Sequence, residues 1–349
     1  MTIGITEILV ARDAAGDRMI RRVLGRLQGI PWRTIDEIPP GGRPPRGSLL
    51  LARRRGRFVK TFRLPADAPP CGERYVVPMI GCPFSCAYCY LQSYLEDGGF
   101  TVFTDTGRMA EEIRAALRED PAVRLTTGEF GDSLALDAVT GTTLDILPLL
   151  AGTEARLDAR TKSDSIDHLL EAAAAGGDTA ELMRRHLVLA WTMTPADTAR
   201  REEPGTASLD ARLAAMERAA AAGLRVAIRL DPVIPAAADA ESYDDLAGAI
   251  AAALSPAAPE RIEIGILRFP LGLREIVRRA RPRSAVLRGE WIRDTDGKER
   301  LNRPARVRLY RTIAGIVRER FPGTPVELSM EPVEMWEDAG LSPPCPCDR

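Results

Sequence analysis

Three cysteines stand close together in the segment "GCPFSCAYCYLQ", residues 81–92. Cys82, Cys86 and Cys89 fall within eight positions of a chain that holds six cysteines. Thiolates are nucleophiles and metal ligands. An iron–sulfur cube is normally held by four Cys thiolates. Because three thiols leave one iron of a cube without a protein ligand, this spacing favours a cluster with one iron open to a ligand from outside the protein.

A zinc site is the alternative for the same thiols. Structural zinc normally takes four N or S ligands, and the other candidates are His168, His186 and Cys71. None of these is near the three-cysteine motif in sequence except Cys71. A zinc site completed by Cys71 therefore stays open, and with it a zinc-dependent nucleic-acid-binding protein.

The composition is that of a globular protein of enzyme size. With 349 residues, 45% of them hydrophobic, the chain can bury a large core. Lys and Arg number 48 against 49 Asp and Glu, so no overall cationic field favours nucleic acid as a partner, although it remains possible. The sequence shows neither the ~20 apolar residues of a membrane span nor a signal peptide. We expect a cytoplasmic protein without a membrane partner, in which thiols serve metal or catalytic roles.

Short apolar, β-branched runs alternate with helical segments from about residue 76 onward. This alternation is typical of βα units around a parallel sheet. The six runs are "RYVVPMIG", "VRLTTGEF", "ARLDARTKS", "HLVLAWTMT", "LRVAIRLDPVIP" and "RIEIGILRF". The helical segments are 107–118, 164–175, 208–222 and 241–254, the third of them with Ser208 as N-cap and Gly223 as its stop.

The pattern predicts an α/β protein with a partial (β/α)6 TIM-type barrel at residues 76–270. A small N-terminal α/β appendage of βαβ type and a linker, "PPGGRPPRG", precede it at residues 1–75. A C-terminal extension follows at residues 271–349, with a helix near 304–320 and a short run, "PVELSM". The cysteine loop follows the first barrel strand, at the end where barrel enzymes carry their chemistry.

Arg229 and Asp231 interrupt the apolar run of the fifth predicted strand. They lie two positions apart and therefore share one face of the strand. A charged pair on an inner face is costly unless it is matched. The pattern predicts either a catalytic role toward cofactor or substrate, or ion pairs with adjacent strands.

The cysteine motif resembles that of a known enzyme superfamily. Cys-x-x-x-Cys-x-x-Cys with an aromatic residue before the third cysteine is similar to the signature of radical S-adenosylmethionine (radical SAM) enzymes, and "CAYCYLQ" resembles the spore photoproduct lyase branch. "TKSDSIDHLL", "EEPGTASLDARLAAMERAAAAG" and the N-terminal appendage extend the resemblance over about residues 5–270. The resemblance implies a [4Fe–4S] cluster on Cys82, Cys86 and Cys89 whose open iron binds S-adenosylmethionine.

The resemblance also implies the reaction. One-electron reduction, from a donor such as flavodoxin or ferredoxin, cleaves S-adenosylmethionine to methionine and a 5′-deoxyadenosyl radical, which takes a hydrogen atom from a substrate. The cofactors carry this chemistry, and the protein orients them and excludes water.

Polar residues at the ends of the predicted strands are candidates for binding S-adenosylmethionine. The resemblance implies that Gly128 and Glu129 receive the amino group of S-adenosylmethionine by a charge-assisted hydrogen bond, and that Lys162 meets its carboxylate. Thr192 and Thr194 lie at the end of the fourth predicted strand, where their hydroxyls reach toward the ribose. A solvated acidic loop at Glu129 and a surface lysine at Lys162 are the alternatives.

Tyr88 and Tyr90 flank Cys89. In the lyase family the corresponding tyrosines take part in a radical relay, which the resemblance implies for these two residues. Packing of both rings around the cluster is the alternative.

The chain departs from the lyase pattern just after the second barrel strand. The lyase family carries a hydrogen-donor cysteine there, and matching "GDSLALD" to that segment places Glu129 at its position. No cysteine stands between Cys89 and Cys345, and a carboxylate has no weak S–H bond to donate. Cys345 or Cys347 can serve as the hydrogen donor in place of that cysteine only if the C-terminal tail folds back over the mouth of the barrel. We therefore expect a substrate other than a DNA photolesion, with a thymine-dimer lyase using another hydrogen donor as the alternative.

Overall fold

The computed structural model describes residues 4–65, 67–69, 72–95 and 98–343. Cys71, Cys345 and Cys347 lie outside these ranges. The chain divides into two compact units. The first unit comprises Met1–Phe62, Glu73–Pro83 and Tyr94–Val188, and the second comprises Arg63–Gly72, Phe84–Ser93 and Leu189–Arg349.

The strands of the described residues are short, and most are buried on at least one face. They are β1 Glu7–Ala11, β2 Trp32–Ile35, β3 Ser48–Ala52, β4 Val59–Thr61, β5 Glu73–Val76, β6 Met79–Ile80, β7 Phe100–Phe103, β8 Arg124–Thr127, β9 Arg156–Thr161, β10 Leu187–Thr192, β11 Arg225–Val233, β12 Ile262–Ile266, β13 Arg268–Phe269, β14 Trp291–Arg293, β15 Glu299–Leu301 and β16 Val326–Leu328.

The α-helices alternate with these strands over much of the chain. They are α1 Arg18–Arg26, α2 Leu91–Tyr94, α3 Thr106–Glu119, α4 Asp137–Thr140, α5 Thr142–Ile146, α6 Asp167–Ala174, α7 Gly177–His186, α8 Ala196–Glu202, α9 Leu209–Ala221, α10 Ala240–Leu254, α11 Leu273–Ala280, α12 Arg303–Arg320 and α13 Val333–Asp338. Among the described residues, no helix is both long and apolar enough to span a bilayer.

Each of the six predicted barrel runs contributes a strand to one sheet, but the first run, "RYVVPMIG", forms β5 in that sheet and then β6, which belongs to a five-stranded sheet. The hydrogen-bonded order of the sheet that contains β5 is β16-β12-β11-β10-β9-β8-β5-β4, so the six runs are neighbours in chain order, from β5 to β12. β5 pairs parallel with β8, β8 with β9, and β11 with β12. Every residue of β10 is buried, as expected when helices cover both faces of a parallel sheet. The predicted fold class, an α/β protein with a partial TIM-type barrel, is confirmed.

The sixth run differs from its prediction in one respect. "RIEIGILRF" forms β12 and then β13, which leaves the main sheet and pairs with β15 in a separate three-stranded sheet. "PVELSM" forms β16, which pairs parallel with β12 and extends the main sheet.

The N-terminal segment forms the βαβ unit that its sequence predicts. β1 and β2 are parallel and are connected through α1. The sheet is larger than predicted, because β3 pairs with β1 and then with β7, and β6 pairs with β7. It therefore recruits strands from beyond residue 75. The division into 1–75, 76–270 and 271–349 stays a prediction.

The segment "PPGGRPPRG" connects β2 to β3 within this sheet. Arg43 holds it in place by donating to the carbonyls of Gly98 at 2.7 Å and Gly99 at 2.8 Å. All residues of β3 are buried, so the strand after the segment belongs to the core of the first unit. The segment is thus a connection inside one sheet.

The third predicted helix begins and ends as its sequence indicates. The Ser208 hydroxyl oxygen accepts a hydrogen bond from the backbone N–H of Ala211 at 3.2 Å, which caps α9. Gly223 follows the helix with φ 74°, in the left-handed region that favours glycine.

Candidate active site

The three-cysteine motif begins directly after β6, which belongs to the five-stranded sheet, and not directly after the first barrel strand, β5, as predicted. Gly81 precedes Cys82 with φ 99°, and a Cβ there would lie 2.8 Å from the carbonyl oxygen of Gly99. Its backbone N–H donates to the carbonyl of Phe130 at 2.8 Å. The chain therefore enters the motif through a position that only glycine fits without strain. Cys82 itself is half-buried.

The segment from Cys86 to Cys89 is a tight turn in the second unit, and α2 follows it from Leu91. Cys89 donates its backbone N–H to the carbonyl of Cys86 at 3.2 Å. The side-chain amide of Gln92 donates to the carbonyls of Cys86 at 3.0 Å, Ala87 at 3.2 Å and Cys89 at 3.3 Å. Cys86 is buried, Cys89 is half-buried, and none of the three cysteines of the motif forms a disulfide bond with a described residue. The sequence analysis did not predict a role for Gln92. Its position three residues after Cys89, at the end of "CYLQ", was the only indication in the sequence.

Tyr88 is anchored to a buried carboxylate. Its hydroxyl donates to Oε1 of Glu203. Burial, followed by the negative charge of Glu203, raises the pKa of Tyr88 well above the ordinary value of a phenol. The side chain therefore stays protonated and acts as a donor. Sequence reasoning missed Glu203, although it stands in the quoted segment "EEPGTASLDARLAAMERAAAAG". The radical-relay role of Tyr88 and Tyr90 stays a prediction.

Thr192 and Thr194 end and follow β10, and both are buried. The Thr194 hydroxyl donates to Glu203 at 2.9 Å. The backbone carbonyl of Thr192 accepts from Arg212 at 2.9 Å. Both threonines thus adjoin the same buried polar cluster, and their contact with a ribose stays a prediction.

Gly128 shapes the loop that follows β8. It has φ 97°, and a Cβ at this position would lie 2.8 Å from both the Arg160 carbonyl oxygen and the Ser133 hydroxyl. Thr127 donates its hydroxyl to that of Ser133 at 2.8 Å. The loop that carries half-buried Glu129 therefore packs closely against the end of β9.

Asp132 joins the ends of β8 and β9. Its carboxylate is buried and accepts from the Thr161 hydroxyl and from the backbone N–H of Lys162, each at 2.7 Å. It also accepts from the backbone N–H groups of Leu134 and Ala135 at 3.0 Å. Burial raises the pKa of Asp132, and these four hydrogen bonds act against that rise. Asp132 thus links the loop that carries Glu129 to the end of β9 at Lys162. Glu129 and Lys162 were predicted to bind the cofactor, whereas Asp132 was not among the predicted site residues.

Arg229 and Asp231 belong to a buried ion-pair network. Arg229 contacts Asp231 at 2.9 Å and also pairs with Glu263. Asp231 contacts Arg268 at 3.4 Å and accepts from the Ser329 hydroxyl at 3.0 Å. Burial would raise the pKa of Asp231, but the charges of Arg268 and Arg229 outweigh burial and lower it. The structure thus matches the ion-pair alternative for this strand, and contact with cofactor or substrate stays a prediction.

Comparison with known proteins decides the family. Residues 58–303, more than half of the chain, match the family described as spore photoproduct lyase. The chain belongs to the spore photoproduct lyase family. A curated relative, the spore photoproduct lyase of Geobacillus sp. (strain Y412MC61), is 25% identical over 218 residues, which are 60% of this chain and 57% of that protein. The match therefore spans less than two thirds of the relative's length.

Solved structures of spore photoproduct lyase share the fold. The structure complexed with dinucleoside spore photoproduct has a TM-score of 0.76 and 19% identity, and the match covers 93% of this chain and 99% of that chain. A double mutant of the lyase with bound AdoMet and dinucleoside spore photoproduct also has a TM-score of 0.76 and 19% identity, with coverage of 92% and 98%. The resemblance drawn from the cysteine motif is confirmed at the level of the spore photoproduct lyase family, which is a family of radical SAM enzymes.

The donor set of the motif fits the cluster that this family implies. Three thiols at the observed spacing supply the soft ligands that iron–sulfur clusters take. Within the described ranges, no three His, Cys, Asp or Glu side chains are gathered closely enough to hold a metal ion. The assignment of the cluster therefore rests on ligand chemistry and spacing. Cys71, the fourth ligand of the zinc alternative, lies outside the described residues.

Proposed function

We propose that this protein binds a [4Fe–4S] cluster through Cys82, Cys86 and Cys89, cleaves S-adenosylmethionine reductively, and removes a hydrogen atom from a substrate. The observation that carries the proposal is the three-thiol motif within the segment matched to the spore photoproduct lyase family. When bound, the cluster supplies the electron that cleaves the sulfonium to methionine and a 5′-deoxyadenosyl radical.

Two strand ends bind the cofactor in this proposal. Glu129 accepts a hydrogen bond from the ammonium group of S-adenosylmethionine, and Lys162 pairs with its carboxylate. Support comes from Asp132, which ties the two loops together through its bonds to Thr161 and Lys162. Charge-assisted contacts of this kind are stronger than neutral hydrogen bonds, so the pair would both bind and orient the sulfonium.

The other predicted residues keep their roles in this proposal. Thr192 and Thr194 face the ribose in this proposal, and Tyr88 and Tyr90 take part in a radical relay. Arg229 and Asp231 hold the shape of the polar network at the end of β11 and contribute to binding cofactor or substrate. A one-electron donor such as flavodoxin or ferredoxin completes the reaction.

The identity of the substrate is a separate part of the proposal. Glu129 stands where the lyases carry a hydrogen-donor cysteine, so we infer a substrate other than a DNA photolesion. The near balance of 48 basic and 49 acidic residues also offers no general attraction to DNA. A thymine-dimer lyase with another hydrogen donor is the second candidate, because the matched relatives are named spore photoproduct lyase and solved structures of the lyase contain dinucleoside spore photoproduct.

The function is tested on protein purified and reconstituted without oxygen. We expect about four iron and four sulfide per chain, and formation of 5′-deoxyadenosine when dithionite and S-adenosylmethionine are added. The Cys89→Ala variant is the matched negative control. One zinc per chain and no 5′-deoxyadenosine would replace the proposal with the zinc-binding alternative.

A further inference from the structure

A buried ion pair adjoins the cysteine turn, and the proposed chemistry does not use it. Glu203 and Arg212 contact at 2.6 Å, and both side chains are wholly inaccessible to solvent. Arg212 also donates to the carbonyls of Ala207 at 3.0 Å and Thr192 at 2.9 Å, and to the hydroxyl of Thr206 at 2.7 Å. Burying two charges costs several kcal/mol per ion, so such a pair is a poor device for stability alone.

The ion pair reaches the cysteine turn through one side chain. Oε1 of Glu203 accepts the hydroxyl of Tyr88, which directly precedes Cys89. Two main-chain bonds run beside this contact: Ala87 donates to the carbonyl of Glu202 at 2.7 Å, and Ser85 donates to that of Pro204 at 2.9 Å. The chain around the second and third thiols is therefore held along residues 202–204.

We propose that Glu203, oriented by Arg212, is a positioning residue that sets the place of Cys89 in the cluster site by holding Tyr88. This inference rests on the proposed function. A side-chain substitution at Glu203 leaves the donors and acceptors of the main-chain bonds to residues 202 and 204 unchanged, but it changes the acceptor of the Tyr88 hydroxyl. Tyr88 lies inside the turn that the bond from Cys89 N–H to Cys86 O closes. We therefore expect a shift of Tyr88 to change the spacing of the two thiols.

Two variants separate the position of Tyr88 from the charge of Glu203. Glu203→Gln removes the negative charge and weakens the hydrogen bond that the side chain at position 203 accepts from the Tyr88 hydroxyl. Tyr88→Phe keeps the charge and the contacts of Glu203 with Arg212 and Thr194, and removes only the hydroxyl. A change in the properties of the cluster that both variants share reports the position of Tyr88, because only Glu203→Gln alters the buried charge.

Glu202 provides a matched control. Its carboxylate is also buried, but it accepts from the Ser284 hydroxyl at 2.5 Å and from the backbone N–H of Ala285 at 2.8 Å. Glu202→Gln therefore changes a neighbouring buried acid and leaves the bond between Tyr88 and Glu203 in place.

The experiment compares reconstituted wild-type protein with the three variants. Iron and sulfide are counted, the reduced cluster is examined by electron paramagnetic resonance with and without S-adenosylmethionine, and its midpoint potential and the melting temperature of the protein are measured. We expect Glu203→Gln and Tyr88→Phe to shift the spectrum and the potential in the same direction. Glu202→Gln should lower the melting temperature and leave the spectrum and potential as in wild type.

Three results would overturn the inference. One is a wild-type spectrum and potential in Tyr88→Phe, which decides the matter even if Glu203→Gln fails to fold. Another is an equal shift in Glu202→Gln, which would show a general response to a disturbed fold. Wild-type protein that takes up no cluster would overturn the proposed function and this inference with it.

Discussion

The carboxylate of Asp132 accepts a hydrogen bond from the backbone N–H of Lys162 at 2.7 Å, across 30 positions of sequence. The same carboxylate accepts the Thr161 hydroxyl. The loop after β8 and the end of β9 therefore keep a constant separation. If Glu129 and Lys162 hold opposite ends of the amino-acid part of S-adenosylmethionine, this separation must match that of the ammonium and carboxylate groups.

Asp132→Asn should weaken binding of S-adenosylmethionine about tenfold, a loss of roughly 1.4 kcal/mol. The two carboxylate oxygens of Asp132 accept one bond each from the Thr161 hydroxyl and the Lys162 N–H. In Asn one of these oxygens is replaced by an NH2 group, which cannot accept, so one bond between the two loops is lost. Affinity is measured by anaerobic titration calorimetry on reconstituted protein. Asp137→Asn is the control, because Asp137 is equally buried but accepts from Thr143 N–H at 3.0 Å and contacts His168 at 2.8 Å. Reduced affinity in both variants would indicate a general effect of losing a buried carboxylate.

Glu129→Ala should lower the affinity for S-adenosylmethionine about ten- to hundredfold. The variant loses one hydrogen bond between charged groups, typically worth ~1.5–3 kcal/mol. Glu129→Gln keeps an acceptor of the same size, and its affinity should fall between those of wild type and Glu129→Ala. Wild-type affinity in a folded Glu129→Ala protein would return Glu129 to a solvated loop and remove it from the cofactor site.

Replacing Cys82, Cys86 or Cys89 by Ala should abolish cluster assembly, whereas Cys71→Ala should leave it intact. Each of the first three changes removes a thiolate that the proposed cluster needs. Iron and sulfide contents and the brown colour of anaerobically purified protein provide the measurement. Equal loss of metal in Cys71→Ala would favour a site with four thiolates and no open iron.

The enzyme should not convert a spore-photoproduct dinucleotide into thymidylyl-thymidine under conditions in which it cleaves S-adenosylmethionine. A repair cycle ends when a hydrogen atom is returned to the product radical, and the carboxylate of Glu129 has no weak S–H bond for that step. Chromatography of the incubated dinucleotide measures the product. Repair over many turnovers would contradict this prediction. Repair that disappeared in a Cys345→Ala, Cys347→Ala double variant would identify the tail as the thiol donor.

The amino-acid sequence by itself determined the barrel strands and the cysteine motif. The runs that became β5 and β8 to β12 are local patterns of β-branched and apolar residues, and the motif is complete within eight positions. The N-cap at Ser208 is equally local. Strands β3, β4 and β7 were not predicted, because each is only three to five residues long and none is part of the strand–helix alternation that predicted the barrel.

Only the tertiary structure decided which groups surround the predicted residues. Glu203 lies 115 positions from the Tyr88 that it holds, and Glu263 lies 34 positions from Arg229. Periodicity and spacing report on neighbours within a few residues along one element. A buried acid acquires its partners when separate strands and loops pack together, since only then does the loss of water make an unmatched charge costly.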